Sequence, residues 1–379
     1  MTLLSGDPPR GLALRILIAV IVLGLVLAPF LFPGAKAFNV AAKICVMILL
    51  AASYDLLLGY AGIVSFAHVM FFGVGAYGAG LALYGLGPTW AALAAGLVVA
   101  FALSLLLALA IGLFSLRVQS IFFAMVTLAV AYAFNVLASQ LSWLTGGEDG
   151  RSFKAPPALQ PGFKWLAHPI LGVQANGKLL AYYLVFAAAA LAFLVLLRVA
   201  NSPFGRVLQA IRENPFRAEA LGYRIVIHRT LATCISALGA TLAGALSALW
   251  LRYVGPDTAL SFSIQVDVLV MVVVGGMGSL YGAIVGAAIF VLAESYLQDA
   301  MGGLSQLAAD ARLPLLPALF HPDRWLLWLG LAFILAVYFA PAGIVGALSG
   351  EGAGFSAEGA ESRAPGASRL LSRLRGRRA

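Results

Sequence analysis

Charged side chains are scarce in this chain. Asp, Glu, Lys and Arg make up 10% of the 379 residues, whereas 62% of the residues are hydrophobic. Soluble domains carry about 25% charged residues, and a soluble surface this poor in charge would expose large apolar patches. The shortage of charge therefore excludes an ordinary soluble protein and predicts an integral membrane protein.

Cysteine and histidine are also rare. Both cysteines, Cys45 and Cys234, lie inside apolar segments, so neither a disulfide framework nor a zinc pattern can be built. Of four scattered histidines, only His68 lies in an apolar segment, and it has no partner motif. We therefore predict no catalytic residue and no metal site. A membrane enzyme stays open as an alternative, because residues distant in sequence can meet in space.

Motifs for nucleotides and nucleic acids are incomplete. Residues 172–178 match most of a phosphate-binding loop, but Leu179 follows where Ser or Thr should hold magnesium. The net charge of +9 is not accompanied by a nucleic-acid motif. The sequence therefore predicts no cofactor and no nucleic-acid partner.

Long apolar segments, by contrast, are plentiful. A membrane-spanning helix needs about 20 mostly apolar residues. Ten segments qualify, which predicts an all-α polytopic transmembrane helix bundle over residues 1–347. The predicted spans are 12–32, 39–58, 64–84, 90–114, 120–139, 179–199, 230–250, 264–280, 281–296 and 325–344. The first resembles a signal peptide, but its apolar run exceeds the usual length, which favours an uncleaved helix.

Basic residues predict the orientation of the bundle. Five arginines lie in residues 200–229, more lie in the tail at 348–379, and Arg10 and Arg15 precede the first span. Because Lys and Arg favour the cytoplasmic side, this segment and both termini are predicted to be cytoplasmic. The proline-rich segment 140–178 is then a long periplasmic loop, and 298–324 is a second outer loop. The tail is predicted to be disordered.

Few ionisable residues lie within the predicted spans, and such residues are costly in a membrane and are therefore candidates for function. The candidates taken from them are Asp55, His68, Asp267 and Glu294. Asp55 and Glu294 lie near helix ends, so an interfacial role is equally open. Asp267, with Gln265 nearby, either faces a solute or caps a helix.

Glycines interrupt apolar segments in both halves of the chain, after residue 58 and after residue 274. Broken helices in corresponding positions point to a transport path, although simple turns between helices are an equal alternative. The candidate path residues are Gly59, Gly62, Ser65, His68, Gln265, Asp267, Gly275, Gly276 and Gly278.

The segment after residue 201 has apolar positions at helical spacing, begins with Ser202-Pro203 and has Gly222 as a stop signal, which predicts an amphipathic helix pair. It resembles the coupling loop of branched-chain amino acid ABC-transporter permeases of the LivM type. Two further blocks, at 58–77 and 274–286, are similar to motifs of the same family. The coupling residues that the resemblance implies are Arg206, Ala210, Arg212, Glu213, Asn214, Ala218 and Gly222.

This resemblance implies a permease subunit in a bacterial inner membrane that imports branched-chain amino acids by ATP-driven alternating access. It implies a second permease subunit of the LivH type, two cytoplasmic ATPase subunits that bind the ATP, and a periplasmic solute-binding protein. Permeases for urea, short amides or carboxylates share the motifs, so those solutes stay open. An ion-coupled secondary transporter is a further alternative, for which Asp267 and Glu294 are the candidate carboxylate pair.

Overall fold

The computed structural model describes residues 11–31, 34–115, 120–164, 176–310, 321–340 and 342–349. Within these ranges the chain is almost entirely helical, and nine helices are long and apolar enough to cross a membrane. The predicted all-α membrane bundle is confirmed. The tail predicted to be disordered lies, from residue 350 onward, outside the described residues.

The long helices follow the predicted spans closely, and a π-helical turn, Leu56–Tyr60, extends the second one. In chain order the helices are α1 Leu12–Leu31, α2 Ala35–Asp55, α3 His68–Gly85, α4 Trp90–Ser115, α5 Ser120–Gln140, α6 Ser142–Thr145, α7 Gly177–Ala200, α8 Pro203–Glu213, α9 Pro215–Ala220, α10 Ile225–Leu251, α11 Pro256–Ala259, α12 Phe262–Gly275, α13 Leu280–Asp310, α14 Trp325–Phe339 and α15 Gly343–Ser349.

The nine membrane-spanning candidates account for all predicted spans except the third, whose place is taken by α3. This helix is rich in glycine and begins at His68, so the prediction that helix starts at residue 64 was wrong. Residues 61–67 instead form an irregular segment. Irregular backbone at membrane depth is tolerated only where protein or water satisfies its polar groups, and this segment is largely buried in the bundle.

The boundaries of α12 and α13 also correct the sequence analysis. The helix α12 ends at Gly275, five residues before the predicted end of the eighth span. The helix α13 continues to Asp310, so the predicted outer loop at 298–324 was wrong for its first 13 residues. The prolines that suggested a loop begin only at Pro314, and nothing in residues 298–310 prevents the helix from continuing.

Helices α2, α3 and α10 form the centre of the bundle, and small residues let them approach closely. Gly75 of α3 lies directly against the backbone of Thr241 in α10. Gly244 of α10 lies against the carbonyl of Phe72 in the same way. A side chain at either position would push the two helices apart, which is the packing that small residues serve in membrane bundles.

Contacts between distant segments define the two ends of the bundle. A two-residue ladder pairs Arg151–Ser152 with Tyr253–Val254, so the segments that follow α5 and α10 lie at one end, here called the ladder end. Helices α8 and α9 lie at the opposite end, here called the arginine-rich end, where α8 meets the π-helical turn after α2. Helix α1 also contacts α15, so the described chain begins and ends on the same side of the bundle, as the even span count predicts.

Helix α1 contains a proline whose cost is offset by another helix. Pro29 has no amide hydrogen, so the carbonyl of Leu25, four residues earlier, loses its helical partner. The hydroxyl of Tyr182 in α7 donates to that carbonyl at 2.5 Å, and the hydroxyl of Tyr183 donates to the carbonyl of Val26 at 2.9 Å. These bonds fasten α1 to α7 near the ladder end.

Candidate functional site

The arginine-rich end carries the predicted pair of short helices. Ser202 begins α8, because its hydroxyl accepts a hydrogen bond from the amide of Gly205 at 3.4 Å, and Pro203 occupies the first turn. Asn214 ends α8 and begins α9, since its side-chain oxygen accepts from the amide of Arg217 at 3.0 Å. The helix pair is confirmed, and Asn214 forms the corner between its helices.

The pair has a buried face and an exposed face. Leu208, Ile211 and Ala218 are buried against the bundle. Residues on the opposite face are accessible, and two apolar ones are strongly so, with Phe216 83% and Leu221 78% exposed. Five of the residues implied by the family resemblance are exposed as well, namely Arg206, Ala210, Arg212, Glu213 and Gly222.

Arg212 differs from the other residues of this pair because it reaches back into the bundle. Its guanidinium donates a hydrogen bond to the carbonyl of Gly59, in the π-helical turn that ends α2. The aliphatic part of the same side chain lies against Gly62. One side chain therefore joins α8 to the end of α2.

The two glycine-interrupted segments meet at this place. The amide of Gly278 donates to the carboxylate of Asp55 at 2.9 Å, and Gly59 lies directly against both residues. Gly278 has φ +85°, a left-handed conformation that favours glycine. The guanidinium of Arg212 also interacts electrostatically with the Asp55 carboxylate. We call Asp55, Gly59, Gly278 and Arg212 the glycine junction.

The environment of Asp55 corrects one alternative from the sequence. An interfacial carboxylate would be in contact with water, whereas Asp55 is only 1% exposed. A buried carboxylate needs compensating partners: the Gly278 amide donates to Oδ1 and the Arg212 guanidinium interacts electrostatically, while Oδ2 has no hydrogen-bond partner among the described residues. The sequence missed this arrangement because the partners lie more than 150 residues further along the chain.

The remaining glycines of the predicted path make packing contacts in this structure. Gly275 lies against Gly282 of α13, and Gly276 lies against Gly343 at the start of α15. They form the tight turn that reverses the chain between α12 and α13. The alternative of a simple turn therefore describes their local geometry, although the turn belongs to the glycine junction.

A second polar group surrounds the irregular segment before α3. His68 lies 2.8 Å from the hydroxyl of Ser53, measured from its Nε2 atom. Since that hydroxyl donates to the carbonyl of Leu50 at 2.8 Å, His68 donates to it from Nε2. Ser53 was not predicted from the sequence, because a single serine in an apolar helix belongs to no recognisable motif.

Gln265 joins the irregular segment to α12. Its side-chain oxygen accepts from the amide of Val69 at 3.1 Å, and its amide group donates to the carbonyl of Ser65 at 3.4 Å. Ser65, His68 and Gln265 were predicted together and do lie in one region of the bundle. All three are buried, and they hold the irregular backbone in place.

Asp267 lies apart from that region, in a group with charged residues of α2 and α13. Lys43 forms an ion pair with both oxygens of Glu294, at 2.8 and 2.7 Å. Asp267 interacts electrostatically with Glu294 and Lys43. The capping alternative for Asp267 was wrong, because Ser261 caps α12. Glu294 is engaged by a lysine, so the geometry gives no support to a pair of carboxylates that shares a proton.

Alternative sites are few in the part of the chain that the structure describes. No group of three or more His, Cys, Asp or Glu side chains there could hold a metal ion. A cavity of about 520 Å³ lies between α3, α4 and α5, lined by apolar residues such as Val74, Val99 and Leu137. Its walls offer almost no polar atoms, so it has no means of recognising a polar solute.

Comparison with known proteins agrees with this architecture. The family profile described as branched-chain amino acid transport system / permease component matches residues 36–337. The chain is 28% identical over 277 residues to the high-affinity branched-chain amino acid transport system permease protein LivM of Salmonella typhimurium, which covers 69% of this chain and 63% of that protein. The LivM protein of Escherichia coli is 29% identical over 298 residues, covering 75% of this chain and 68% of that protein.

A more distant relative and the solved structures complete the comparison. The probable branched-chain amino acid transport permease protein LivM of Methanocaldococcus jannaschii is 27% identical over 190 residues, or 48% of this chain and 52% of that protein. The matched segments thus span between about half and two-thirds of these relatives' lengths. No solved structure shows a significant match. Because the family profile covers most of the chain, including the glycine junction and α8–α9, this protein belongs to the family of branched-chain amino acid transport system permease components.

Proposed function

We propose that the chain is the LivM-type permease subunit of an ATP-driven importer in a bacterial inner membrane. The arginine-rich end is cytoplasmic and the ladder end faces the periplasm. A LivH-type permease completes the path, two ATPase subunits bind α8–α9, and a periplasmic binding protein delivers the solute at the ladder end. The solutes are branched-chain amino acids, the class named for the relatives.

The observation that carries this proposal is the position of Arg212. It belongs to α8, at the surface of the arginine-rich end, and its guanidinium is hydrogen-bonded to the carbonyl of Gly59 at the end of α2. Through Asp55 and Gly278 the same contact reaches the turn between α12 and α13. A displacement of α8 would therefore act on the ends of three membrane helices, α2, α12 and α13.

The exposed face of α8–α9 suits a protein partner. Phe216 and Leu221 are large apolar side chains exposed to solvent on a helix pair that also exposes the charged residues Arg206 and Glu213. Exposed apolar residues rimmed by charged ones are typical of protein interfaces. Since α8 and α9 lie outside the apolar spans, an ATPase rather than lipid is the occupant that we propose for this face.

Alternating access follows from these two features. Closure of the ATPase dimer displaces α8–α9, and the glycine junction passes the displacement to α2, α12 and α13. Movement of these helices would rock the bundle and expose the path to the two sides of the membrane in turn. Path residues beyond the junction would come from the region of Ser65, His68 and Gln265 and from Asp267.

The test introduces a charge on the exposed face of α8. Ala210 is exposed and small, so Ala210→Glu leaves the buried contacts of α8 unchanged and alters only what docks there. We expect the reconstituted complex to lose substrate-stimulated ATP hydrolysis and uptake, while solute binding by the isolated binding protein is unchanged. Ala210→Ser, which keeps the same exposed position small and uncharged, is the matched control. Normal transport by a fully assembled Ala210→Glu complex would refute the coupling assignment.

A further inference from the structure

Helix α2 is accessible along one narrow stripe. Between Phe38 and Asp55 every residue is buried except Asn39, Lys43 and Ile48. Asn39 and Lys43 are four residues apart and therefore lie on the same face of the helix, in its half toward the ladder end. Lys43 is eight residues from the start of α2, roughly 12 Å along the helix axis, which is well within the membrane-spanning part.

The neighbouring helices α12 and α13 also carry polar side chains beside this stripe. Glu294 of α13 binds Lys43, and closer to the ladder end Lys36 forms an ion pair with Asp299. Helix α12 adds Asp267, and Ser263, one turn earlier, is exposed. We call Asn39, Lys43, Ser263, Asp267 and Glu294 the outer crevice.

The charges of the outer crevice do not balance. Lys43 is the single cation for two carboxylates, and both oxygens of Glu294 are hydrogen-bonded to it. Asp267 is half-buried and, among the described residues, has no hydrogen-bond donor for its carboxylate. Hydrocarbon is a poor solvent for such a group, so this face does not lie against lipid tails. A cationic group of a solute or of a neighbouring chain would offset the Asp267 carboxylate more fully than Lys43, which is shared with Glu294.

We propose that the outer crevice is part of the solute path and that the Asp267 carboxylate receives the ammonium group of a zwitterionic amino acid. This inference rests on the proposed function and adds the group by which the path recognises its solute. A hydrated path is favoured over a partner helix because the accessible residues include an amide, a hydroxyl and three charged groups. Glu294 is held by Lys43, which leaves Asp267 as the carboxylate that is free to bind.

The first experiment measures the charge of the crevice through a thiol at its edge. Asn39→Cys is placed in a cysteine-free complex containing all subunits, with Cys45 and Cys234 replaced by Ala. Cationic and anionic methanethiosulfonates are then compared, each rate normalised to a free thiol. We expect the cation to react about tenfold faster, as a carboxylate-lined cleft concentrates cations. Asp267→Asn should bring the ratio close to one.

The second experiment asks whether the solute uses the crevice. Leucine-loaded binding protein should slow the labelling of Asn39→Cys in the presence of ATP. Uptake of leucine by Asp267→Asn should fall about tenfold or more, the loss expected for a hydrogen bond to a charged group, while Asp267→Glu keeps most of the rate. Val98→Cys, on an exposed apolar face of α4 that we expect to contact lipid, is the control and should stay unlabelled.

Three results would overturn the inference. An assembled complex in which Asn39→Cys is unreactive would show that protein or lipid covers the stripe. Loss of subunit assembly in Asp267→Asn would assign the carboxylate to a contact with a partner chain. Equal rates for the two reagents, unchanged by Asp267→Asn, would exclude an ammonium site. A wild-type complex that imports no branched-chain amino acid would instead refute the proposed function, and the labelling ratio would still report on the crevice.

Discussion

The glycine junction and the outer crevice are built from the same three helices, α2, α12 and α13, at opposite ends. At the junction the ends of these helices meet through backbone atoms and the short side chain of Asp55, and Gly59 lies directly against Asp55 and Gly278. Arg212 of α8 joins this packed backbone from outside. At the crevice the helices are held by long side chains, as in the ion pair between Lys43 and Glu294. One end is closed by backbone packing, and the other is bridged by flexible, partly exposed charges.

The difference separates two kinds of helix contact. Backbone packing around glycine allows little displacement without a clash, because protein interiors are close-packed. Ion pairs between partly exposed side chains are worth little and can re-form as the helices move. We therefore expect helix movements that begin at α8 to be transmitted rigidly through the junction and to change the width of the crevice.

The largest expected effect comes from filling the junction. In Gly59→Ala the new methyl group would occupy the space of the Asp55 carboxylate and the Gly278 backbone. We expect a loss of about 1–3 kcal/mol in stability, the usual cost of overpacking, and uptake close to background. Gly85→Ala is the control, because Gly85 ends α3 with open space around it. Thermal unfolding and uptake of both variants check the prediction, and a Gly59→Ala complex as active as Gly85→Ala would contradict rigid packing.

A smaller effect is expected from cutting the link without filling space. Arg212→Gln removes the charged donor to the Gly59 carbonyl. Because the position is partly exposed, we expect the coupling free energy to fall by about 1 kcal/mol, which is roughly fivefold in solute imported per ATP. The expected change is fewer solute molecules imported for each ATP hydrolysed, with assembly intact. Arg324→Gln removes an exposed arginine beside the start of α14 and serves as the control. If uptake and hydrolysis fall in proportion, Arg212 holds the subunits together rather than coupling them.

The sequence was sufficient to predict the helices but not their contacts. Apolar segments of about 20 residues place spans reliably, because a membrane imposes that length. Boundaries failed where no such rule applies, as at His68, where α3 starts late, and beyond Gln298, where α13 continues. A glycine permits both a turn and a close approach, so sequence alone could not decide what Gly275 and Gly278 do.

The candidate site was predictable in part for a related reason. Residues of α8–α9 form one local motif, and local motifs can be recognised from sequence. The glycine junction joins residues separated by 153 and 223 positions, and no spacing rule reaches that far. Asp55 therefore looked like a residue at a helix end. The same limit applied to Lys43, whose ion pair with Glu294 spans 251 positions.

The smallest expected effect on stability concerns the hydrogen bond between Tyr182 and Leu25 near the ladder end, which we expect to stabilise the fold without affecting coupling. Tyr182 donates to the Leu25 carbonyl that Pro29 leaves without a partner, as Arg212 donates to Gly59. Tyr182→Phe should cost about 0.6 kcal/mol, the average for such bonds between membrane helices, with coupling unchanged. In a Pro29→Ala background the Ala amide can donate to Leu25, so the same substitution should cost less there. Tyr183→Phe is the matched control, since Pro29 does not remove the helical partner of Val26. Thermal unfolding of the four combinations at positions 29 and 182 measures the coupling, and equal costs in both backgrounds would show that the hydroxyl does not compensate for the proline.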